Sequence, residues 1–519
     1  MVANTRVELN VDGIADGLRD AADWLVGAAE TGMAAHDVER GLFRKMLELG
    51  RRMFGGFLEM VGTGDLGETT ELPDGRVVRR LGEPRVRELT TVFGRFAVTR
   101  CVYGTDEHQA FALVPTDSRL QLPEGNVSYL LQEWDQLLGI DQAFSVARDT
   151  LDTILRIRQS VDTLEHGSRQ MAEAAPAFRA QQAAPDPAEE GELLIVTEDN
   201  KGVPMVRPTD APPPGAHLTK GQKKNKKKMA CIGAVYSVDR HVRTPEELVQ
   251  TLFRDEDRPR LTPPKATQKR YWASLSRTVG VRAVGVRAVG GGDATPVEIC
   301  GQTEVFEHLR DDIALRRQPG QTLVHLSDGQ VSLETDRDKH FPRDAQTVDI
   351  LDLLHVLPRL WDAAHLFHKE ASPAAIAFVR HRLLRVLQGQ AKSVIADLRS
   401  QGTKRGLAGS TKVKLRTLTG FLESNLHRLK YDEYLAAGCP IATGVIEGAC
   451  RHLVKDRMER SGMRWKIPGA QAMLTLRAVR ANGDWETFQE FRIQHETQRL
   501  HPNTPQLQST HWPLTPTAV

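Results

Sequence analysis

Three carboxylate side chains stand out in this sequence because of their type and their context. Asp199 follows the apolar run Leu193–Thr197, and Asp328 follows a second apolar run. Glu447 lies near the start of a helical pattern, where the positive end of the helix dipole favours a negative charge. Carboxylate oxygens are the ligands that Mg²⁺ and Mn²⁺ prefer. The three side chains therefore suggest a site for two divalent ions, with Asp199 bridging both, Asp328 on one and Glu447 on the other. Two such ions activate the attacking oxygen and stabilise the leaving oxygen at a phosphodiester.

Basic side chains are concentrated at two places next to these acids. The run Lys220–Lys228 has six Lys in nine residues, and we expect a loop that binds a phosphate backbone. Arg451 and Lys455 follow Glu447 at i+4 and i+8, so one helix face is expected to carry an acid and two bases. A solvated loop and an exposed, ion-paired helix are the alternatives. The candidate DNA-binding residues are Lys223, Lys224, Lys226, Lys227, Lys228, Arg451, Lys455, Arg460 and Arg464.

Buried strands and amphipathic helices are expected to position these residues. Strands are predicted at Leu193–Thr197, Met229–Val238, Thr322–Ser327 and Thr347–Leu351. Helices are predicted at Pro245–Phe253, Lys265–Ser276 and Val297–Arg317, from Asp352 to Phe367, and at Pro373–Arg399, Lys412–Leu429 and Gly469–Ala481. Thr443 is the predicted N-cap of the helix that carries Glu447. The twofold pentapeptide VGVRA within Val279–Gly292 predicts a surface loop.

The N-terminal part is expected to be mainly helical, with a small β-meander. Helices are predicted over Ala15–Val61, and strands within Pro73–Glu83, Arg87–Tyr103 and Phe111–Val114. Three helices follow, at Ser128–Leu138, Val146–Leu155 and Val161–Met171, the last with Ser160 as its N-cap. The last two resemble a helix-turn-helix, which would place its second helix in the major groove of DNA; a plain three-helix bundle is the alternative.

Bulk properties restrict the class of protein. A chain of 519 residues is expected to form two to four units. A net charge of +2 means that any basic surface is local. The five cysteines contain no CxxC pair, which argues against a zinc site or a disulfide framework and favours a reducing cytoplasm. Neither a signal peptide nor an apolar run long enough for a bilayer is visible, so we expect a cytoplasmic protein with no membrane partner.

Several motifs together resemble a known family. They are VTEDNKGVPMVR (196–207), KKKMACIGAVY (226–236), HLSDGQ (325–330), LDLLHVLPRLWDAAHLFH (351–368) and GCPIATGVIEGACRHLVKDRMERSGMRW (438–465). Over roughly residues 128–491 the chain resembles the ISKra-type insertion-sequence transposases, a bacterial DDE group related to the Mutator superfamily.

The resemblance has implications for fold and site. It implies an α/β protein with an RNase H-like catalytic core that a helical insertion interrupts. The implied catalytic and metal-binding triad is Asp199, Asp328 and Glu447, with two Mg²⁺ or Mn²⁺ ions. An Asp-x-x-His element falls on Asp352 and His355, which are expected to support the site. Where the family has Asp-Gly, this chain has Asp199-Asn200 preceded by Glu198; strand alternation sends Glu198 and Asp199 to opposite faces, and the match selects Asp199.

The resulting organisation has seven segments: an N-terminal helical and β-meander region (1–125), a helix-turn-helix-like DNA-binding segment (126–175), a linker (176–190), the first part of the core (191–368), the helical insertion (369–438), the C-terminal part of the core with Glu447 (439–492) and a flexible tail (493–519). The expected function is DNA cleavage and strand transfer at terminal inverted repeats. The expected partners are double-stranded DNA, as element ends and target, and a second copy or more of the chain. A nuclease without strand transfer and a non-catalytic DNA-binding protein derived from a transposase are the alternatives.

Overall fold

The structure of the protein is a computed structural model. It describes residues 11–105, 111–207, 227–258, 262–281 and 295–504, and residue 507. By the clustering of its contacts the chain divides into two compact units. One comprises Met1–Phe178 and Glu486–Val519, and the other comprises Arg179–Trp485. The unit boundary falls inside the segment that the sequence suggested as a linker.

Runs of strands and runs of helices follow one another along the chain. The strands in the described residues are β1 (Thr69–Glu71), β2 (Val77–Arg80), β3 (Arg85–Thr91), β4 (Gly94–Arg100), β5 (Tyr103–Gly104), β6 (Leu193–Pro204), β7 (Lys227–Val238), β8 (Thr267–Leu275), β9 (Arg277–Val281), β10 (Thr295–Ile299), β11 (Thr322–Ser327) and β12 (Thr347–Leu351). The α-helices there are α1 (Val11–Glu30), α2 (Ala35–Val61), α3 (Pro115–Leu120), α4 (Tyr129–Gly139), α5 (Phe144–Leu155), α6 (Val161–Ala172), α7 (Ala175–Ala180), α8 (Pro245–Phe253), α9 (Gly301–Arg316), α10 (Val331–His340), α11 (Leu353–Phe367), α12 (Pro373–Leu387), α13 (Ala391–Lys404), α14 (Gly409–Ser424), α15 (Tyr431–Ala436), α16 (Gly444–Ala449), α17 (Asp456–Met458), α18 (Ile467–Ala481) and α19 (Trp485–Leu500). A π-helical turn, Cys450–Lys455, joins α16 to α17.

A five-stranded mixed sheet forms the centre of the second unit, in the order β12-β11-β6-β7-β8. β7 pairs antiparallel with both β6 and β8. β11 pairs parallel with both β6 and β12. The chain is therefore a mixed α/β protein, as the sequence predicts.

The two faces of this sheet are covered by different helices, because successive residues of a strand point to opposite faces. Leu193 and Ile195 of β6 pack into a core cluster that includes residues of α11, α12, α13, α14 and α15. Leu194 and Val196 pack on the other face, with Val305 and other residues of α9. Four helices, α12 to α15, thus lie between α11 and α16 in sequence and cover the first face.

These helices form because their apolar residues recur on one side. In α12 the buried residues Val379, Leu383 and Leu387 are spaced by four, which gives an apolar stripe toward the sheet. Ser372 caps this helix by accepting a hydrogen bond from the Ala375 amide at 3.2 Å. Asp352 caps α11 in the same way, accepting from the Leu354 amide at 2.8 Å.

The first unit contains the α1–α2 pair, small antiparallel sheets and a three-helix group. β1, β2 and β5 form one sheet and β3 and β4 form another. α4, α5 and α6 lie at the positions where the sequence predicts the helix-turn-helix-like segment. Ser128 and Ser160 cap α4 and α6, as Ser160 was expected to, with hydrogen bonds from Leu131 (3.4 Å) and Thr163 (3.0 Å).

The strands that carry or flank the predicted acids are confirmed, except that β6 continues to Pro204, so Asp199 lies inside this strand and not at its end. Several other predictions are wrong. The helix predicted at Lys265–Ser276 is the strand β8, because aromatic residues such as Tyr271 and Trp272 suit a pleated, half-buried surface and β7 supplies the pairing. Phe111–Val114 is not a strand; only Leu113 forms an isolated bridge, to Tyr103. α10 and α15 were not predicted.

Some boundaries also differ. Val297–Ile299, predicted as helix, belongs to β10. The predicted surface loop Val279–Gly292 begins inside β9, and its residues 282–292 lie outside the described part of the chain. The predicted linker contains α7 and the buried Phe178. The tail predicted from residue 493 is helical to Leu500, with His501, Thr504 and Leu507 buried beyond it; the remaining tail residues lie outside the described part.

Candidate active site

Asp199 and Asp328 follow corresponding positions of two parallel strands. The last described pair of β6 and β11 is Val196 with His325. Asp199 lies three residues beyond Val196, and Asp328 lies three residues beyond His325. Because the strands run in the same direction, both chains reach the same level of the sheet at these acids. Alternation along β6 also directs Asp199 to the face that α11 to α15 cover.

The turn after β11 fixes Asp328. Its Oδ1 accepts a hydrogen bond from the Gln330 amide at 2.8 Å. Gly329 between them has φ +84°, a left-handed conformation that favours glycine. A Cβ at this position would also lie 2.8 Å from Leu351 Cδ1 and 3.2 Å from the Phe421 ring. Any other residue at position 329 would therefore have a strained backbone and would displace the Leu351 and Phe421 side chains.

Glu447 lies in the first turn of α16, as predicted, and its side chain is exposed. Thr443 occupies the N-cap position, but the prediction that its side chain caps the helix is wrong. The Thr443 hydroxyl instead donates a hydrogen bond to the carboxylate of Asp352. The start of the helix is thus tied to the start of α11.

The three predicted acids are coupled electrostatically. Burial is the main cause that raises the pKa of Asp199, and the negative charges of Asp328 and Glu447 raise it further. Hydrogen bonds from Cys450 and Asn200 act in the opposite direction. The charges of Asp328 and Glu447 therefore disfavour the ionised form of Asp199.

Cys450 touches Asp199 directly. Its Sγ donates a hydrogen bond to Asp199 Oδ2 at 3.3 Å. Burial raises the pKa of the Cys450 thiol, and the charge of Asp199 raises it further, so the thiol is a neutral donor. Cys450 is the first residue of the π-helical turn, a rare feature that occurs frequently at functional sites. Nothing in the local sequence indicates this contact.

The π-helical turn also changes which side chains share a face. Arg451 and His452 both reach Asp456, at 3.4 and 3.3 Å, and the Arg451 pair spans five residues instead of four. Arg477 of α18 donates to the carbonyl oxygens of His452 (2.9 Å) and Leu453 (3.1 Å). The segment that carries Arg451 and Lys455 is therefore a π-helical turn and not the regular α-helix from which the shared face of Glu447, Arg451 and Lys455 was predicted.

Asp352 joins the segments that carry the acids. Its amide donates to the carbonyl of Ser327, at the end of β11, at 2.8 Å. Its fully buried carboxylate accepts from His355 Nδ1 at 3.1 Å and from the Thr443 hydroxyl. The hydrogen bond to Asp352 is the main cause that raises the pKa of His355, and the charges of Asp328 and Asp199 contribute. The neighbouring carboxylates therefore make His355 easier to protonate than a free imidazole.

The helices between α11 and α16 supply a second link to the site. Arg428, fully buried in the 3-10 turn after α14, donates to Ser327 Oγ at 2.9 Å. Its guanidinium also contacts Glu334 and Asn425. Arg359 of α11 stacks on the Phe421 ring, 3.4 Å from its centroid, and interacts with the charge of Asp328. These arginines were not among the predicted site residues, because only the fold brings them to the end of β11.

Glu198 belongs to a separate, buried network. His325 Nε2 contacts Glu198 at 2.8 Å, and His325 Nδ1 contacts Asp349 at 3.1 Å. Burial lowers the pKa of His325, but Glu198 and Asp349 outweigh this effect and the pKa is raised. Glu198 and Asp199 thus have different partners, as strand alternation predicts.

The predicted DNA-binding residues are only partly described. Lys223, Lys224 and Lys226 lie outside the described residues. Lys227 and Lys228 begin β7 instead of lying in a loop, and Lys227 Nζ pairs with Glu459 at 2.5 Å. The remaining four have exposed side chains: Arg451, Lys455, Arg460 and Arg464.

A ready-made metal site is not present in the part of the chain that is described: no three His, Cys, Asp or Glu side chains there are grouped to hold an ion. The chemistry of Asp199, Asp328 and Glu447 nevertheless fits a divalent cation, because the carboxylates supply oxygen ligands and repel one another. A cation among them would relieve that repulsion, and side-chain rotation would be needed to complete its ligands.

Comparisons with known proteins add no family. No protein-family model matches the chain, and no curated protein matches it. Among the described helices, none has the length and apolar character needed to cross a membrane.

Proposed function

We propose that the protein is a DDE transposase that cleaves DNA and transfers the cut strand at the terminal inverted repeats of an insertion sequence. The observation that carries the proposal is geometric: the register of β6 and β11 brings Asp199 and Asp328 to one level of the sheet, and Cys450, three residues after Glu447, contacts Asp199. A buried scaffold around them, with Asp352 at its centre, supports a functional role because buried polar networks are costly unless fully satisfied.

We also propose that the mixed sheet is an RNase H-like core and that α12 to α15 are its helical insertion. The parallel register of β6 and β11 supports this, since it brings Asp199 and Asp328 to the same level. The tie between Asp352 and Thr443 supports it as well, because it holds the helix of Glu447 beside the end of β11.

In this proposal Asp199, Asp328 and Glu447 would hold Mg²⁺ or Mn²⁺, with two ions expected. Bound ions would supply an activated attacking oxygen and would stabilise the leaving oxygen. Cys450 orients the Asp199 carboxylate through its hydrogen bond. His355 is held beside the proposed site by its contact with Asp352. The nucleophiles are water for cleavage and a DNA 3′-hydroxyl for strand transfer, with no covalent protein–DNA intermediate.

The proposed partners are double-stranded DNA and further copies of the chain. The two ends of one element have to be held together during transposition, so a homodimer or a higher oligomer on DNA is expected. The α4–α6 group and the basic residues Arg451, Lys455, Arg460 and Arg464 are the proposed contacts to DNA.

The test is a cleavage and strand-transfer assay with DNA from both flanks of the coding region. Glu447→Gln keeps the side-chain size and removes the charge, so duplex binding is expected to change little. Magnesium-dependent cleavage is expected to fall by more than about 100-fold, as when a group that stabilises the transition state is lost. Glu433→Gln, at an exposed acid of α15, is the matched control.

The outcomes separate the three functions. Cleavage and joined products with the wild type, both lost in Glu447→Gln, support a transposase. Cleavage without joined products indicates a nuclease. DNA binding without cleavage by the wild type indicates a non-catalytic relative. Undiminished cleavage by Glu447→Gln removes Glu447 from the site.

A further inference from the structure

The hairpin of α13 and α14 carries a strongly one-sided charge. Between Lys392 and Arg416 the sequence has seven Lys or Arg and a single carboxylate, Asp397. All seven of these basic residues are exposed. We name six of them the basic hairpin: Arg399, Lys404, Arg405, Lys412, Lys414 and Arg416. None of them belongs to the predicted DNA-binding set.

Intramolecular ion pairs do not account for this charge. Arg399 pairs with Glu423, at 3.0 and 2.6 Å. Within the part of the chain that the structure describes, no carboxylate pairs with Lys404, Lys412, Lys414 or Arg416. Lys412 and Arg416 are four residues apart in α14, and like charges at that spacing destabilise a helix. A negatively charged partner would offset this cost.

The two helices of the hairpin are closely packed, and a groove lies between them. Gly402 of α13 lies against Leu415 of α14, since a Cβ at Gly402 would lie 2.4 Å from Leu415 Cδ2. A cavity of about 540 Å³ is lined by apolar residues such as Leu407 and by the basic residues Arg399, Lys412 and Arg416. Apolar walls with cationic sides suit a sugar-phosphate backbone, which presents deoxyribose and charged phosphate together.

The opposite end of α14 lies at the candidate active site. Phe421 packs beside Gly329, the residue that follows Asp328. Lys414 precedes Phe421 by seven residues, which places both on one face of α14. Lys412 is nine residues from Phe421, or about 14 Å along a helix. At about 3.4 Å per base pair, that length corresponds to roughly four base pairs of duplex.

We propose that the basic hairpin binds the sugar-phosphate backbone of duplex DNA, roughly four base pairs from the phosphate that is cut. This inference rests on the proposed function for its choice of DNA as the ligand. The contact is to phosphate and therefore independent of base sequence. It positions the duplex beside the end of β11, where Asp328 and Gly329 lie next to α14.

The test compares two full-length variants that each lose three positive charges. The first is Lys412→Gln, Lys414→Gln, Arg416→Gln in the hairpin. The matched control is the triple variant at exposed sites elsewhere in the same unit, Lys265→Gln, Lys269→Gln, Arg310→Gln. The probe is a labelled duplex of about 30 base pairs, and its anisotropy is measured without divalent ions over a series of salt concentrations.

The hairpin variant is expected to bind roughly 10- to 100-fold more weakly near physiological salt. The slope of log affinity against log salt should fall by about 2.7, because each lost phosphate contact removes about 0.9. The control triple should keep the wild-type slope. If the triple variant does not fold, as judged by circular dichroism, Lys414→Gln alone should lower the slope by about 0.9.

Three results would overturn the inference: an unchanged slope in the hairpin variant, an equal loss in the control, or tighter hairpin-dependent binding of duplex RNA than of duplex DNA. The failure of the proposed function is a different result. If the wild type never cleaves DNA, the transposase proposal is contradicted. If the hairpin variant still shows the smaller salt slope, the proposal that the basic hairpin binds duplex DNA is supported.

Discussion

At the scale of single residues, the position of the acids depends on buried side chains behind them. Arg428 is the clearest case, because its guanidinium is fully buried and reaches Ser327, directly before Asp328. Its other contacts are Glu334 and Asn425. A buried charge of this kind stabilises a fold only while all its partners remain in place.

Arg428→Met should lower the free energy of unfolding of the second unit by about 3–5 kcal/mol, because it leaves buried polar partners uncompensated. Arg399→Met removes an exposed ion pair with Glu423 and should cost less than about 1 kcal/mol. Urea unfolding of both full-length variants measures the difference. Equal costs for the two substitutions would mean that Arg428 does not anchor the end of β11.

Residue types and spacing were enough to predict the three acids, but not the side chains that hold the acids in place. Asp199, Asp328 and Glu447 could be chosen because each is an acid at the end of a predicted strand or at the start of a helix. Cys450 could not, because nothing in its local sequence indicates that its thiol faces Asp199 across 251 positions. The position of Thr443 directly before a helix predicts that its side chain caps the helix, whereas its hydroxyl donates a hydrogen bond to Asp352.

At the scale of elements, burial of a charge can make the stability of a helix group depend on pH. Asp135 of α4 is buried, and this raises its pKa to about 7, although a hydrogen bond from Gln159 at 2.6 Å acts against the rise. In the unfolded chain the same carboxyl loses its proton near pH 4. The folded state thus binds more protons between these values, and its stability falls as the pH rises from about 4 to 7.

Asp135→Asn should remove this dependence, because the amide is neutral at every pH and still accepts a hydrogen bond from Gln159. Above pH 7 the variant should gain roughly 3–4 kcal/mol over the wild type in the α4–α6 group. Hydrogen exchange of the α4 amides at pH 5 and pH 8, corrected for intrinsic rates, measures this gain in stability. Asp149→Asn, at an exposed acid of α5, is the control. A wild type whose α4 protection is the same at both values would contradict the prediction.

Elements were predictable where local pattern and tertiary context agree. β6 begins with a continuous apolar run, and β7, β11 and β12 are short segments rich in apolar residues, so the sequence indicates them directly. β8 was predicted as a helix because its strand character comes from pairing with β7, which a local window does not contain. The π-helical turn at Cys450 was not predictable either, since Arg477, which donates hydrogen bonds to carbonyl oxygens of this turn, comes from a separate helix.

At the scale of the whole molecule, the strand order of the sheet determines where the acids lie. The order β12-β11-β6-β7-β8 brings two acids to one level through a parallel pair. The helices α12 to α15 then attach to the same face, where Tyr431 and Tyr434 donate to the carbonyls of Leu351 and Asp349 at 2.7 and 2.9 Å. A long helical segment is therefore bound to the strand that leads into Asp352.

The most direct test of the central claim is the binding of Mn²⁺ to the full-length protein on duplex DNA, followed by electron paramagnetic resonance. The wild type should bind two ions per chain. Asp199→Asn, Asp328→Asn and Glu447→Gln should each weaken binding by more than about tenfold, whereas Glu433→Gln should match the wild type. If all four variants bind Mn²⁺ with the affinity and stoichiometry of the wild type, the three carboxylates do not form a metal site and the proposed chemistry is wrong.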